Sequence, residues 1–163
     1  MNRPHRAGTA TASSAPASAP GALVRVVVDS GPLIALFCPA DHWHQPVVTW
    51  LRDHPGAQLF TTWPVMTEVC AMLAHRVRHE AAIDFLRWVQ LGAMVVEGAD
   101  DATLGELLRI SERFADLPLD LADASVAEAA GRLGLRNILS IDTDFDVYRD
   151  RSGRPLTNLL ATS

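Results

Sequence analysis

The run Leu23-Val24-Arg25-Val26-Val27-Val28 constrains this chain more than any other feature, because it ends on a carboxylate. Four of its six residues are valine, the composition of a strand buried on both faces of a sheet. Asp29-Ser30-Gly31-Pro32 stops the run at once and leaves an acid at the edge of the core. An unpaired charge there costs several kcal/mol unless strong donors or a cation compensate. Asp29 therefore reads in one of two ways: as the cap of a helix that begins near Pro32, or as a ligand whose charge something else neutralises.

The rest of the sequence supplies helices to cover such a strand. Leu33 to Phe37 starts a helical pattern that Trp43, Val47, Trp50 and Leu51 continue up to Pro55-Gly56. A short strand fits Gln58 to Thr61. After it, Val65, Val69, Met72, Leu73 and Val77 form one stripe of a helix that Pro64 helps to start. A second helix fits Glu80 to Leu91 and a strand Ala93 to Glu97. Leu104, Leu107, Leu108 and Phe114 predict a helix after Asp100-Asp101, and Leu121 to Leu133 predicts another that Gly134 ends. Asn137 to Ile141 reads as the last strand. Alternation of this kind predicts an α/β domain with a parallel sheet, whose ligands bind beyond the carboxyl ends of the strands. Residues 23–160 form that domain. Residues 1–22, rich in Ala, Ser, Thr and Pro without a single acid, predict a disordered tail, an organellar leader being the weaker alternative.

Acidic residues recur where such a sheet would place a site. Asp29 and Asp142 each follow a strand, Glu68 borders the apolar stripe of its helix, and Asp120 and Asp123 open the alanine-rich helix. Every one has an ordinary explanation: Glu68 as a solvated helix residue, Asp120 with Asp123 as a capping-box-like start, Asp142-Thr143-Asp144 as a chance acidic triplet. All 14 basic residues are arginine, so no lysine amine stands by to pair with these acids. If the acids converge, their repulsion needs a divalent cation, and Mg²⁺ or Mn²⁺ suits hard carboxylate oxygens better than zinc does. His75 and His79 share a helix face but lack a third ligand at suitable spacing, and His42 and His44 read as surface histidines too.

The same composition excludes much else. Without lysine there is no P-loop or Schiff-base chemistry, and haloacid-dehalogenase-like phosphatases and receiver domains also lose an expected residue. No apolar stretch approaches the ~18 residues of a membrane-spanning helix. A net charge of −5 offers no large basic field. Cys38 and Cys70 show no paired spacing, and a reducing cytoplasm is the expected compartment.

Val27-Val28-Asp29-Ser30-Gly31-Pro32-Leu33, Thr67-Glu68-Val69, Leu119-Asp120-Leu121-Ala122-Asp123-Ala124 and Leu139-Ser140-Ile141-Asp142-Thr143-Asp144-Phe145, taken in this order, resemble the PIN-domain ribonucleases, and within them the VapC-type toxins of toxin–antitoxin pairs. The resemblance implies a three-layer α/β/α PIN-like fold around a central, mainly parallel sheet. It also implies a Mg²⁺- or Mn²⁺-dependent endoribonuclease with catalytic and metal-binding Asp29, Glu68, Asp123 and Asp142. Ser30, Asp120, Ser140 and Asp144 match supporting positions. The implied partners are an RNA substrate, reached through arginines such as Arg76, Arg78 or Arg87, a cognate antitoxin protein and a second copy of the chain. A PIN-like scaffold that binds without cutting, and a structure-specific DNA nuclease, are the alternatives.

Overall fold

A computed structural model of the protein describes residues 23–116, 120–150 and 152–160. The expected tail, residues 1–22, and Leu119 of the third motif lie outside them. The valine run forms strand β1, Arg25–Val28, with Val26, Val27 and Val28 all buried. Each such side chain contributes about 1.5–3 kcal/mol of hydrophobic stabilisation. Strands β2, Gln58–Thr62, β3, Val95–Glu97, β4, Asn137–Leu139, and β5, Thr157–Asn158, complete a five-stranded sheet in the order β3-β2-β1-β4-β5. Every pairing is parallel.

Helices α1, Ser30–Leu36, and α2, His44–Asp53, connect β1 to β2. Helix α3, Trp63–Met72, runs into a π-helical turn at Leu73–Val77, and α4, His79–Gln90, leads to β3. Helices α5, Asp101–Arg113, and α6, Leu121–Arg132, return the chain to β4. The α6 helix packs on β1 and β2, and α5 packs on α6. Helices thus flank the sheet in a three-layer α/β/α arrangement. Among the described residues no helix is long and apolar enough to cross a membrane.

Several expectations change in detail. The helical pattern from Leu33 to Leu51 breaks into two helices around Pro39-Ala40, where the fixed ring of proline interrupts the ladder. The stripe from Val65 to Val77 is not one α-helix, since its last turn is π-helical. Leu107 is buried on α5, but Leu104 and Leu108 are 67% and 60% exposed, so that apolar face extends beyond the core. The reciprocal capping box forms on α5, between Asp100 and Thr103. On α6, Asp120 caps the backbone N–H groups of Ala122 and Asp123. Strand β4 ends at Leu139, two residues early, and β5 carries no hydrophobic run that announces it.

The sheet order creates a topological switch between β1 and β4: the chain leaves β1 toward β2 on one side and leaves β4 toward β5 on the other. Crevices of this kind lie outside the carboxyl ends of parallel strands. Register brings Val28 beside Leu139, so the residues that follow, Asp29 and Ser140, leave the sheet side by side. The Asp29 N–H extends the ladder by donating to the Leu139 carbonyl at 3.0 Å.

Gly31 is the close approach that lets α1 start there. A Cβ at this position would overlap Cγ1 of Ile141 and stand 2.7 Å from its Cδ1. Gly31→Ala is therefore expected to cost about 1–3 kcal/mol by overpacking, measured by chemical denaturation, with most of the loss recovered in Gly31→Ala/Ile141→Ala. An unrecovered loss in the double variant would place the cause elsewhere than this contact.

Candidate active site

Asp29 is only 4% exposed, and two short hydrogen bonds hold its carboxylate. Oδ1 accepts from the Ser30 N–H at 2.6 Å, so Asp29 does cap α1; Oδ2 accepts from the Ser140 hydroxyl at 2.8 Å. Both readings of this residue from sequence are thus compatible, because a carboxylate with one capping bond retains further lone pairs. Ser140 also receives the Asp142 N–H on Oγ at 2.9 Å, and Asp142 accepts the Asp144 N–H at 2.9 Å. One serine therefore links the ends of β1 and β4 and fixes the turn that presents Asp142.

That turn is braced from behind. Buried Asn158, on β5, accepts the Ser140 and Leu160 N–H groups and donates to the Ser140 carbonyl. Phe145 and Tyr148 pack beneath the turn, their rings 5.5 Å apart. On the other side of β1, Thr61 donates its hydroxyl to the Val28 carbonyl at 3.0 Å. Thr62 caps α3, and its hydroxyl meets that of Ser125 at 2.6 Å in the core. Since Ser125 donates to the Ala122 carbonyl, Thr62 is the donor of the pair. This contact ties the helix that carries Glu68 to the helix that carries Asp123.

Asp29, Glu68, Asp123 and Asp142 line one cleft of about 260 Å³, together with Ser30, Asp120 and the unforeseen Asp41. Arg76 is the basic residue lining it. Asp144 stands outside the lining but acts on Asp123 through its charge. Arg78 and Arg87 do not line the cleft; both guanidinium groups lie beside Asp84 on α4, at 3.9 and 3.3 Å. Asp41 lies in the loop between α1 and α2 and accepts the Trp43 N–H at 2.8 Å. Nothing in its sequence surroundings sets it apart from an ordinary loop acid. Thr62 did carry a local signal, standing immediately before Trp63-Pro64 as an N-cap should.

The charges in this cleft oppose one another. Burial pushes the Asp29 carboxyl up to about 6, against the pull of its Ser140 and Ser30 hydrogen bonds and with the charges of Glu68 and Asp142 acting in the same direction as burial. Burial, followed by the charges of Asp29, Asp120, Asp142 and Asp144, pushes Asp123 up to about 8. The hydroxyl of buried Tyr148 is pushed up to about 12 by burial, followed by the charges of Asp123, Asp120, Asp144 and Asp142.

Among the described residues no three acids, histidines or cysteines close on a common point tightly enough to enclose an ion. The cleft nonetheless suits a hard divalent cation: its donors are carboxylate oxygens, two of them hold protons far above the usual range, and Mg²⁺ keeps several of its waters instead of requiring a full protein cage. Beside the cleft, sharing Glu68 and Asp120 with it, runs an open apolar groove of about 660 Å³ that includes Trp63, Leu104 and Leu121.

The sequence pattern of the PIN domain matches residues 26–150. The chain is 26% identical over 117 residues to ribonuclease VapC26 of Mycobacterium tuberculosis, an alignment spanning 72% of this chain and 86% of that protein. Its fold resembles that of VapC20 of M. tuberculosis, a sarcin–ricin-loop-cleaving toxin, with a TM-score of 0.69 at 21% identity, covering 80% of this chain and 99% of that one. It also resembles VapBC2 of Rickettsia felis bound to a DNA fragment from its promoter, with a TM-score of 0.60 at 9% identity over 83% and 98% of the two chains.

The raised carboxyls have a definite consequence for stability. Below about pH 4 an aspartate is protonated in the folded and unfolded chain alike. As pH rises, the unfolded chain ionises first, while Asp29 and Asp123 retain their protons until about 6 and 8, so folding loses free energy across that window. In EDTA the melting temperature is expected to fall between pH 5 and pH 8 by about 2–4 °C or more. Asp123→Asn should flatten the decline, and millimolar Mg²⁺ should raise the melting temperature more at pH 8 than at pH 5. A metal-free profile that rises over this range would contradict the account.

Proposed function

From a chain that belongs to the PIN-domain family, with residues 26–150 matched and the acids of four separate segments facing one cleft, we propose a metal-dependent endoribonuclease of the VapC toxin type. The observation that carries this reading is the convergence of Asp29, Glu68, Asp123 and Asp142 on one cleft, with Asp29 buried and the carboxyls of Asp29 and Asp123 pushed up. The likeness to ribonuclease VapC26 supports the choice of RNA as substrate. Carboxylates so placed repel a phosphodiester, and Asp29, Glu68, Asp123 and Asp142 would hold the Mg²⁺ or Mn²⁺ that offsets this repulsion. When bound, such an ion supplies Lewis acidity and charge neutralisation for hydrolysis of the phosphodiester.

The protein's own residues prepare the site. Ser140 fixes Oδ2 of Asp29 and, through the Asp142 N–H, the turn beside it, so these two carboxylates keep their relative position without rearranging during the reaction. Asp120 spends one oxygen on the α6 cap, which sets Asp123 in the first turn of that helix, facing the cleft. Burial and the neighbouring charges push the Asp123 carboxyl up to about 8, and a cation held beside it would favour its ionised form. No serine or cysteine nucleophile is required.

A cognate antitoxin is the proposed partner, by likeness to the VapBC2 pair, and a homodimer is the proposed assembly. Exposed apolar side chains beside the cleft, Trp63 at 59% and Leu121 at 53%, fit a chain that operates with a protein partner.

Labelled single-stranded RNA should be cut in Mg²⁺ or Mn²⁺ and left intact in EDTA, while matched DNA survives. Asp29→Asn should lower the turnover by about 100-fold or more, as expected on losing a preorganised catalytic charge. Cutting of both nucleic acids would favour a general nuclease, and folded, antitoxin-free protein that cuts neither would favour a binding scaffold.

A further inference from the structure

Glu68, Met72 and Arg76 all line the acidic cleft from α3 and the turn that follows it. A regular α-helix would not place them so. Eight residues at roughly 100° each would leave Arg76 about 80° away from the face of Glu68. The π-helical turn Leu73–Val77 changes this, since a turn closed over five residues advances roughly 80° per residue and returns position 76 to that face. The turn therefore re-aims a guanidinium into the cleft, a placement that sequence periodicity alone would give to a neighbouring position.

The guanidinium is also uncommitted. Arg78 and Arg87 have Asp84, Arg109 has Glu106, Arg132 has Glu97 and Glu128, and Arg154 has Asp150. Arg76 makes no hydrogen bond or ion pair to any described residue, although five carboxylates besides Asp41 line the same cleft. Its charge is not among the leading causes that set the protonation of Asp29 or Asp123. An exposed arginine at the mouth of an acidic cleft, not spent on those acids, is free to meet an incoming anion.

We propose that Arg76, turned into the cleft by the π-helical turn, is a substrate-positioning residue that binds a backbone phosphate of the RNA strand beside the carboxylate cluster. This rests on the ribonuclease reading and assigns a contact within it. Arginine suits the task because its planar fork can hold two phosphate oxygens at once, which fixes orientation as well as proximity. Apart from Ser30 the remaining cleft lining is acidic or apolar, so this one cation has a large share in registering the strand against the acids.

The test uses full-length protein and a labelled single-stranded oligoribonucleotide. Binding is followed by fluorescence anisotropy in Mg²⁺ over a range of NaCl concentrations, with Asp29→Asn in every chain to prevent cutting; cleavage is measured without that change. Arg76→Ala should lower kcat/KM by about tenfold or more. It should also reduce the slope of log affinity against log salt by about 0.7, the release expected from one phosphate contact on a single strand. The exchange His75→Arg/Arg76→His keeps the composition but rotates the guanidinium off the cleft face, and it should behave like Arg76→Ala. Arg76→Lys should restore the salt slope and only part of kcat/KM. Arg109→Ala, with its charge on α5 outside the cleft, should leave the slope unchanged. Wild-type cleavage with an unaltered slope and kcat/KM in Arg76→Ala, or full activity in the exchange variant, would overturn the assignment while leaving the ribonuclease standing. Wild-type protein that neither binds nor cuts RNA would remove both.

Discussion

The hydrogen bond from Ser140 to the buried carboxylate of Asp29 is the interaction on which the site depends. It crosses between the two strands at which the chain reverses its direction of travel through the sheet, and it is possible only because the register sets Val28 beside Leu139. A charge so close to the core is tolerated because each oxygen has a donor, and even so burial keeps the proton bound to about pH 6. The arrangement is under tension: the bonds favour the carboxylate, while burial and the neighbouring acids oppose it. A cation entering the cleft would relieve the opposition without disturbing the bonds.

The shape of the fold follows from the same place. Hydrophobic burial of Val26, Val27 and Val28 fixes β1 at the centre, and the strand can end in an acid because α1 begins immediately, its first N–H donating to that acid. Gly31 allows this abrupt start by leaving room for Ile141, the residue just before Asp142. The α3 and α6 helices then bring Glu68 and Asp123 to the cleft, and the buried Thr62–Ser125 contact holds the two helices in relation to each other. The four acids come from distant parts of the sequence, but each stands within a few residues of a contact that belongs to the core.

Much of this was legible in the sequence. The valine run and its terminal aspartate indicate a buried parallel strand, and Glu68, Asp123 and Asp142 stand in elements whose periodicity or caps can be read locally. What the sequence hides are contacts between segments distant in the chain. Asn158 sits in a two-residue strand without periodicity, yet it accepts the Ser140 N–H and donates to the Ser140 carbonyl. Asp41 joins the cleft through a loop whose path is set by tertiary packing. Leu104 and Leu108 fit a helical stripe yet are exposed, Leu104 at the groove beside the cleft, because amphipathic spacing marks an apolar face without saying what covers it.

The π-helical turn shows why such limits matter for function. Sequence spacing treats a helix as a uniform ruler, and on that ruler Glu68 and Arg76 lie on different faces. One widened turn, closed by the Arg78 N–H on the Leu73 carbonyl at 2.9 Å, shifts the phase of everything after it. The shift places a positive group opposite an acidic cluster without pairing them, so the cleft has an attractive site for phosphate beside a set of carboxylates that repel it. A polyanion could then be drawn to the cleft mouth by an unpaired arginine, while the chemistry proposed at the acids themselves would call for a cation. The proposed division assigns phosphate binding and chemistry to two positions of one continuous helical segment, and the turn that contains Arg76 sets their relative aim.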